Sequence, residues 1–384
     1  MPNPSSSLSS TIQVLSELDI LPATGGATEE LLATDPDELD DILQNSENQE
    51  IAEFAECGPE PTRDNIYRAT QPSFRPQDHL YRFFIDGSIR TYYLGTAVEE
   101  QRTFPVILSQ IGAACVARKE DGHLKIQAHQ QKLLLLIPAA NYGLSDEMWR
   151  KLNRATAGTN LVLCDTTEQP LGREAAARSL QNALRDRAGA IARARMHDLE
   201  RDLIGSTDAE RNENSRLVLD GGIKSEKFMS QPYIIAVAKS FRKDVIFTFG
   251  SKKKTSESRK DITKLLMGLP HNHRTVAFSA EGGKVAFWYV RMRAQDEVDY
   301  PLKGVVKVEV ALNNGNKITA AEADRISSAL CGERNVTPYG KDNRWHCHLY
   351  PIYQAENAIK SRFFSNEVLL GSIRWNVKPK LSFV

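Results

Sequence analysis

The chain has 384 residues, of which 41% are apolar and 26% are charged, which is enough to bury a substantial core in two or three domain-sized units. Its formal net charge is zero, yet residues 1–60 contain 14 Asp and Glu and no Lys or Arg, which leaves 49 Lys and Arg against 35 Asp and Glu in the other 324 residues. An acidic arm is therefore joined to a basic body, a distribution that favours binding to a polyanion.

The sequence also argues against several classes of protein. The longest apolar run, residues 133–140, is too short to cross a bilayer, and residues 1–10 lack the basic start and apolar core of a secretion signal. The five cysteines are scattered and form no CxxC pair, which argues against a disulfide scaffold or a structural zinc site. We therefore expect a cytoplasmic protein that does not bind a membrane.

Residues 1–70 are predicted to form an acidic N-terminal arm, and residues 71–384 the body. The arm begins with a segment rich in Ser and Pro that is expected to be disordered. In residues 29–43 apolar positions recur among carboxylates, which predicts at best an acidic amphipathic helix. A solvated tail is the favoured interpretation, and the alternatives are a docking peptide for a basic partner or a mask for the basic body.

The body is predicted to be an α/β fold. Strands are expected over residues 81–85, 89–95, 106–118, 160–164, 216–220, 233–238, 275–279, 284–291 and 304–311, with another inside 123–138. Helices are expected over residues 173–204 and 320–330, and from Pro351 onward, because proline suits the first helical position. The first strand is predicted to stop at Asp86-Gly87-Ser88, since Asp-Gly is a turn signal.

Four acidic residues of the body are candidates for a metal site. Asp86 and Asp220 each follow an apolar strand and precede a glycine, and ligand sites in α/β folds favour such strand ends. Glu200 and Glu356 each lie on the apolar face of a predicted helix, where a lone carboxylate is costly unless it is paired or bound to metal. Each residue alone also has an ordinary role in a turn or an ion pair. Together, the four carboxylates predict a site for Mn²⁺ or Mg²⁺.

Such a site suits phosphodiester hydrolysis. Two divalent ions about 3.5–4 Å apart can hold the attacking and leaving oxygens in line, with metal-activated water as the nucleophile. Lys239, at the end of the strand after Asp220, is the candidate for contact with the phosphate, and a solvated lysine is the alternative. His346 and His348 lie shortly before Glu356 and are within reach of the site. The basic segment 251–260 is either a phosphate-binding loop or a solvated one.

Five short segments, taken in order, resemble a known nuclease family. They are FIDGS (84–88), RMHDLERDLI (195–204), RLVLDGGI (216–223), IIAVAKS (234–240) and YPIYQAENAIK (350–360). The order of strand-borne Asp, helix-borne Glu, second strand-borne Asp and acidic C-terminal helix resembles the RNase H-like nuclease plan. Over residues 80–365 the chain is similar to the NurA family of DNA-end-processing nucleases. The resemblance implies an RNase H-like mixed sheet flanked by helices, here with an acidic N-terminal extension.

The resemblance also carries expectations about activity and partners. It implies that residues 71–384 form a deoxyribonuclease domain that depends on Mn²⁺ or Mg²⁺, forms a homodimer and works with a HerA-like hexameric ATPase that translocates DNA. The process would be DNA end processing or defence against foreign DNA. It implies that Asp86, Glu200 and Asp220 ligate metal and that Lys239 lies near the scissile phosphate. In several family members His or Asp follows the Ala of the last motif, whereas here Glu356 keeps a carboxylate with a different reach.

Two further interpretations follow from the same residues. The altered fourth ligand is compatible with a catalytically inactive, nuclease-derived DNA-binding subunit. Asp-Gly turns also lie beside the metal in actin-like proteins and sugar kinases, but this sequence has no further glycine-rich phosphate loop. It also has no Walker A loop, Rossmann fingerprint or GxSxG elbow, so we expect any ATP-driven step to come from another protein.

Overall fold

A computed structural model describes residues 4–23, 29–30, 51–59, 61, 65–73, 79–168, 179–223, 230–241, 245–248, 259–280, 283–294, 302–312, 317–333, 336, 345–373 and 375. Over these residues the chain forms an α/β fold in which helices flank one large mixed sheet. The helices are α1 (Pro4–Leu15), α2 (Asp146–Thr156), α3 (Leu180–Ile204), α4 (Ile262–Met267), α5 (Ala320–Gly332), α6 (Tyr350–Lys360) and α7 (Asn366–Gly371). None of these described helices is long and apolar enough to cross a membrane.

The strands are β1 (Asp19–Pro22), β2 (Glu29–Glu30), β3 (Ile51–Phe54), β4 (Tyr67–Ala69), β5 (Tyr81–Glu99), β6 (Arg102–Arg118), β7 (Leu124–Ile137), β8 (Leu161–Asp165), β9 (Arg216–Asp220), β10 (Ile234–Ala238), β11 (Ile246–Thr248), β12 (Arg259–Asp261), β13 (His273–Thr275), β14 (Phe278–Ala280), β15 (Val285–Arg291) and β16 (Val305–Ala311). The main path through the sheet is β12-β11-β3-β14-β15-β16-β10-β9-β5-β6-β7-β8. The path places β9 and β5 side by side near its middle.

The part of the sheet that positions the candidate site is built from five strands, adjacent in the order β7-β6-β5-β9-β10. β5, β6 and β7 form an antiparallel meander. The chain then passes through α2, β8 and α3 and returns as β9, which runs parallel to β5, and β10 runs parallel to β9. The carboxyl end of β9 therefore lies beside Asp86, in the first third of the longer strand β5, and the carboxyl end of β10 lies next to that of β9.

Two hydrophobic clusters cover the opposite faces of these strands. Phe84 packs in a cluster with residues of α5 and α6, and the next residue, Ile85, packs in a cluster with residues of α3. Side chains alternate between the faces of a pleated strand. Asp86 therefore lies on the face covered by α6, which we call the α6 face, and Gly87 lies on the opposite α3 face.

Several of the predicted elements are confirmed. The strand β9 has the predicted bounds, and the described part of the long helix, α3, ends at the predicted Ile204. The last predicted helix corresponds to α6, with Pro351 in its first turn. Strong apolar runs and helix-start signals thus located these elements without tertiary information.

The predicted break at Asp86-Gly87-Ser88 is wrong. β5 runs without interruption from Tyr81 to Glu99, and Gly87 and Ser88 pair with Ala113 and Gly112 of β6. The antiparallel ladder with β6 holds the backbone extended through a sequence that is typical of a turn. Asp86 is therefore not at the end of its own strand but at the point where the neighbouring β9 ends.

Parts of the first 70 residues belong to the same sheet as the body. α1 is helical, β1 pairs with the distal half of β5, and β3 lies between β11 and β14. Of the amphipathic helix predicted for residues 29–43, all but Glu29 and Glu30 lies outside the described residues, and these two form β2. The described parts of the predicted arm therefore add strands to the sheet rather than forming a separate body.

A buried ion pair joins this N-terminal segment to the rest of the fold. Glu56 and Arg274 are both fully buried, and Glu56 Oε2 lies 2.7 Å from Arg274 Nη1. The other oxygen of Glu56 accepts a hydrogen bond from Arg68 Nε at 2.9 Å. Arg274 Nε donates to Asp324 of α5 at 2.6 Å. Neither Glu56 nor Arg274 reaches water, so their charges are compensated only by each other and by their ion-pair partners.

We expect Glu56→Gln to lower the free energy of unfolding by about 3 kcal/mol, because the buried Arg274 guanidinium loses one of its counter-charges. Urea unfolding followed by circular dichroism measures this change. Glu53→Gln, which alters an exposed carboxylate on β3, is the control and should change the value by less than about 0.5 kcal/mol. Equal unfolding midpoints for the two variants would contradict a structural role for the pair.

Candidate metal centre

Asp86, Asp220 and Lys239 are brought together by three neighbouring parallel strands. β5 and β9 are paired up to the residues directly before Asp86 and Asp220, so these two aspartates follow side by side. Asp220 is also in register with Val237 of β10, and Lys239 lies two residues further on. Since paired residues of adjacent strands face the same way, both aspartates lie on the α6 face.

Helix α6 and the segment before it add Glu356 and His348. α6 packs against β5 and β6 and half-buries Glu356. His348 is only 4% exposed, and its Nε2 lies 3.4 Å from Glu356 Oε2. One ligand atom from each of Asp86, His348 and Glu356 lies within 4.8 Å of the other two. We call these three residues the Asp86 cluster.

The donor chemistry of the Asp86 cluster suits a divalent cation. Ligand atoms about 2.1 Å from one ion stand about 3.0 Å apart at right angles and about 4.2 Å apart across the ion, and the spacing in the cluster is close to this range. Two carboxylates and an imidazole favour Mn²⁺ over Mg²⁺, because Mg²⁺ prefers oxygen ligands while imidazole binds transition metals well. Among the described residues, no other group of three such side chains is equally close.

Lys239 connects Asp220 to the Asp86 cluster. Its Nζ lies 2.9 Å from Asp220 Oδ2 and 3.4 Å from His348 Nδ1. The lysine side chain is largely buried, so its charge acts at short range on these neighbours. Asp220, one of the four predicted ligands, is therefore next to the cluster but is held by an ammonium group.

Glu200 approaches the site from the α3 face. The glutamate is buried, as its position on the apolar stripe of α3 predicted. Its Oε1 lies 2.6 Å from the point where a Cβ on Gly87 would sit, and its Oε2 lies 2.7 Å from His197 Nδ1. The glycine thus gives this carboxylate room beside Asp86. Glu200 does not belong to the group of ligand atoms within 4.8 Å of one another.

Burial and crowding control the charge of Asp86. Burial raises the pKa of its carboxyl well above the ordinary value, and the nearby charge of Asp220 raises it further. Lys239 lowers this pKa, while Glu356 and Glu200 raise it. The result is a carboxyl whose ionised form is disfavoured in the fold and would be stabilised by an added cation.

The pKa of the Glu356 carboxyl is shifted in the opposite direction. Burial raises the pKa of its carboxyl, but the hydrogen bond with His348 and the ammonium groups of Lys360 and Lys239 outweigh burial and lower the pKa to about 2. Lys360 Nζ lies 2.6 Å from Glu356 Oε1, one helical turn further along α6. Glu356 is therefore a carboxylate at every physiological pH, as a metal ligand has to be.

The two histidines that precede α6 have different environments. His348 joins the Asp86 cluster, whereas His346 is buried elsewhere and its Nδ1 accepts a hydrogen bond from Gly304 N at 3.0 Å. His348 was absent from the four predicted ligands, although its position directly before an acidic helix was a usable signal. The predicted basic segment 251–260 lies outside the described residues except for its last two, which belong to β12.

Comparison with known proteins does not assign the chain to a family. No protein-family model matches the chain, and no curated protein matches its sequence. The resemblance to NurA nucleases consequently rests on the five short segments of the sequence.

We expect the stability of the metal-free protein to depend on pH through Asp86. When folding raises the pKa of a carboxyl, the native state keeps a proton that the unfolded chain loses above about pH 3.9, so stability falls as the pH rises from there to the folded pKa. Asp86→Asn should reduce this fall and raise the melting temperature at neutral pH. Thermal unfolding in EDTA across this pH range tests it.

The matched control for Asp86→Asn is Asp202→Asn, which alters an exposed carboxylate on α3. This control should follow the pH profile of the wild type. If Asp86→Asn also follows the wild-type profile, the crowding of carboxylates around Asp86 has no effect on stability and the electrostatic description is wrong.

Gly87→Ala should move Glu200 away from Asp86. The added methyl would stand 2.6 Å from Glu200 Oε1 and 2.9 Å from Met196 Sδ, and both are parts of flexible side chains that can shift. We expect a stability loss of at most about 2 kcal/mol and an approximately tenfold loss of Mn²⁺ affinity by calorimetry. Gly189→Ala is the control, since nothing lies within 4 Å of its Cβ position. Unchanged Mn²⁺ affinity in Gly87→Ala would remove Glu200 from the site.

Proposed function

We propose that this protein is a divalent-cation-dependent deoxyribonuclease with an RNase H-like core, similar to nucleases of the NurA family. The observation that carries the proposal is the Asp86 cluster, in which Asp86 of β5 meets His348 and Glu356, which lie more than 260 residues later in the chain. Asp220 and Lys239 lie beside the cluster. Carboxylates and imidazole can hold a metal ion that assists phosphodiester hydrolysis, and a buried ammonium group can stabilise charge on the phosphate.

The arrangement of elements gives a second line of support. The first Asp lies on the first strand of an antiparallel meander, the Glu on α3, which follows the meander after α2 and β8, and the second Asp on β9, which runs parallel to β5. The acidic C-terminal helix, α6, packs against β5 and β6, the first two strands of the meander. This is the order on which the resemblance to the RNase H-like plan depends.

In the proposed mechanism the carboxylates of Asp86 and Glu356 and the imidazole of His348 would hold the cation. A divalent ion in such a site supplies an activated water and neutralises the charge on the departing oxygen. Lys239 presents a fixed positive charge to a non-bridging oxygen of the scissile phosphate, and Asp220 holds its Nζ in position. Glu200 remains a proposed ligand, because Gly87 gives its carboxylate room next to Asp86.

Several parts of the proposal follow from the resemblance alone. These are DNA as the substrate, a homodimeric state, a HerA-like hexameric ATPase as the partner, and a role in end processing or in defence against foreign DNA. The missing Walker A loop agrees with a separate ATPase.

We expect Asp86→Ala and Glu356→Gln to lower Mn²⁺-dependent cleavage of labelled single- and double-stranded DNA by at least about 100-fold, because each removes a proposed carboxylate ligand. Asp202→Asn, which changes one exposed carboxylate, should cleave like the wild type. Cleavage that is unchanged in both cluster variants would discard the nuclease assignment for this site.

A catalytically inactive DNA-binding subunit is the second candidate, and one observation favours it. Asp220 and Glu356 already have ammonium partners, Lys239 at 2.9 Å and Lys360 at 2.6 Å, which compete with a metal ion for these carboxylates. Calorimetric titration with Mn²⁺ separates the candidates. Tight binding that disappears in Asp86→Ala supports the nuclease, and absence of tight binding in the wild type supports the inactive subunit.

A further inference from the structure

Helix α6 and the segment that follows it run beside β5 in the same direction. Near the start of this contact, Glu356 meets Asp86 in the Asp86 cluster. Further along both elements, Asn366 accepts a hydrogen bond from the hydroxyl of Tyr92 at 2.7 Å. The position of the Glu356 carboxylate therefore depends on how the chain between these two points packs on the sheet.

A glycine of β6 determines how closely α6 approaches the sheet. Gly112 is paired with Ser88, two residues after Asp86, so it lies on the α6 face. Ile359, three residues after Glu356, fills the place of the missing side chain. Its Cγ1 and Cδ1 lie 2.5 Å and 2.6 Å from the point where a Cβ on Gly112 would sit. Glycine in a strand often marks such a close approach by another element.

The side chain of Ile359 has little freedom to turn aside. It is fully buried, and a β-branched side chain in a helix has one strongly preferred χ1 rotamer. On the sheet side, the backbone oxygen of Gln130 in β7 lies 3.0 Å from the same Cβ position on Gly112. A methyl group added at Gly112 would be held between this backbone and Ile359, and α6 would have to move away from the sheet.

A buried glutamine on β6 holds the segment after α6. Gln110 is 2% exposed and lies on the α6 face, two residues before Gly112. Its Oε1 accepts a hydrogen bond from Phe364 N at 2.9 Å, and its Nε2 donates to Phe364 O at 3.1 Å. Its Nε2 also donates to the hydroxyl of Tyr92 at 3.2 Å. Because one amide binds both backbone groups of Phe364, it fixes this segment along the direction of the strands.

We propose that Gly112 and Gln110 are positioning residues of the metal centre and that they act through α6. Gly112 sets the distance of α6 from the sheet, and Gln110 sets its position along the strands. Together they place the carboxylate of Glu356 next to Asp86. The inference rests on the proposed function, because it requires a cation in the Asp86 cluster. A displacement of about 1 Å by a poorly fixed supporting residue is enough to weaken such a site.

Calorimetric titration of the full-length chain with Mn²⁺, in the absence of DNA, tests the role of Gly112. Gly112→Ala should weaken Mn²⁺ binding about tenfold, because α6 carries Glu356 away from Asp86. The electron paramagnetic resonance spectrum of the bound Mn²⁺ should also differ from that of the wild type. Gly371→Ala is the control on α7, since nothing lies within 4 Å of its Cβ position, and it should bind like the wild type.

The link through Ile359 is tested by repeating the change in an Ile359→Ala background. This background lacks Cγ1 and Cδ1, the two atoms that the added methyl group would meet. Gly112→Ala should therefore have little further effect on Mn²⁺ affinity there, because the effects of two residues in contact are not additive. An equal loss of affinity in both backgrounds would show that α6 is not the link and would overturn the inference.

Gln110→Met provides a second variant that does not depend on the close contact at Gly112. The methionine side chain has a similar length but makes no hydrogen bonds with the backbone of Phe364. It should also weaken Mn²⁺ binding and change the resonance spectrum. Melting temperatures identify the variants that are folded during the titration, and if Gly112→Ala is unfolded, Gln110→Met decides the question.

The outcomes separate this inference from the nuclease assignment. If the folded variants bind Mn²⁺ with wild-type affinity, Gly112 and Gln110 only stabilise the fold and the inference is wrong, even when the wild type cleaves DNA. If the variants lose Mn²⁺ affinity and the wild type does not cleave DNA, the inference stands and the nuclease assignment falls. A wild type that binds no Mn²⁺ overturns the inference, because there is then no metal centre to position.

Discussion

The crowding of carboxylates around Asp86 is the constraint on which the rest of the site depends. A buried carboxyl with three acidic neighbours is unfavourable as an anion, so the fold has to supply positive charge nearby. Lys239 does so from the end of β10, where it also contacts Asp220 and His348. A fold selected for stability alone would not gather these acids, and this is the physical reason for assigning a function to the place where they meet.

The long strand β5 positions the site because it extends beyond the end of its parallel neighbour β9. Where β9 stops, the backbone of β5 continues in its ladder with β6, so Asp86 is placed on a rigid element instead of a mobile loop. The same strand continues to its pairing with β2 and β1. Rigid placement of this kind suits catalytic geometry, in which small displacements of a ligand are costly.

The site includes acids from both faces of the sheet, because residue 87 is a glycine and has no side chain. Gly87 follows Asp86 and points to the α3 face, where a side chain would collide with Glu200 and Met196. Because glycine leaves that space open, the carboxylate of Glu200 lies beside the strand that carries Asp86. On the α6 face, Glu356 and His348 close the other side of the same short stretch of β5. Acids from two different layers therefore approach one segment of backbone.

The sequence by itself determined the elements and faces that depend on local pattern. The apolar run Arg216–Asp220 is a strand with the predicted bounds, and the apolar spacing around Glu200 predicted its burial on α3, because both depend on neighbours a few residues away. Only the tertiary structure decided that Asp86-Gly87 is extended, since pairing with β6 overrides the turn tendency of the dipeptide. Only the tertiary structure placed His348 rather than His346 in the cluster and paired Asp220 with Lys239, because those contacts join different structural elements and no local periodicity encodes them.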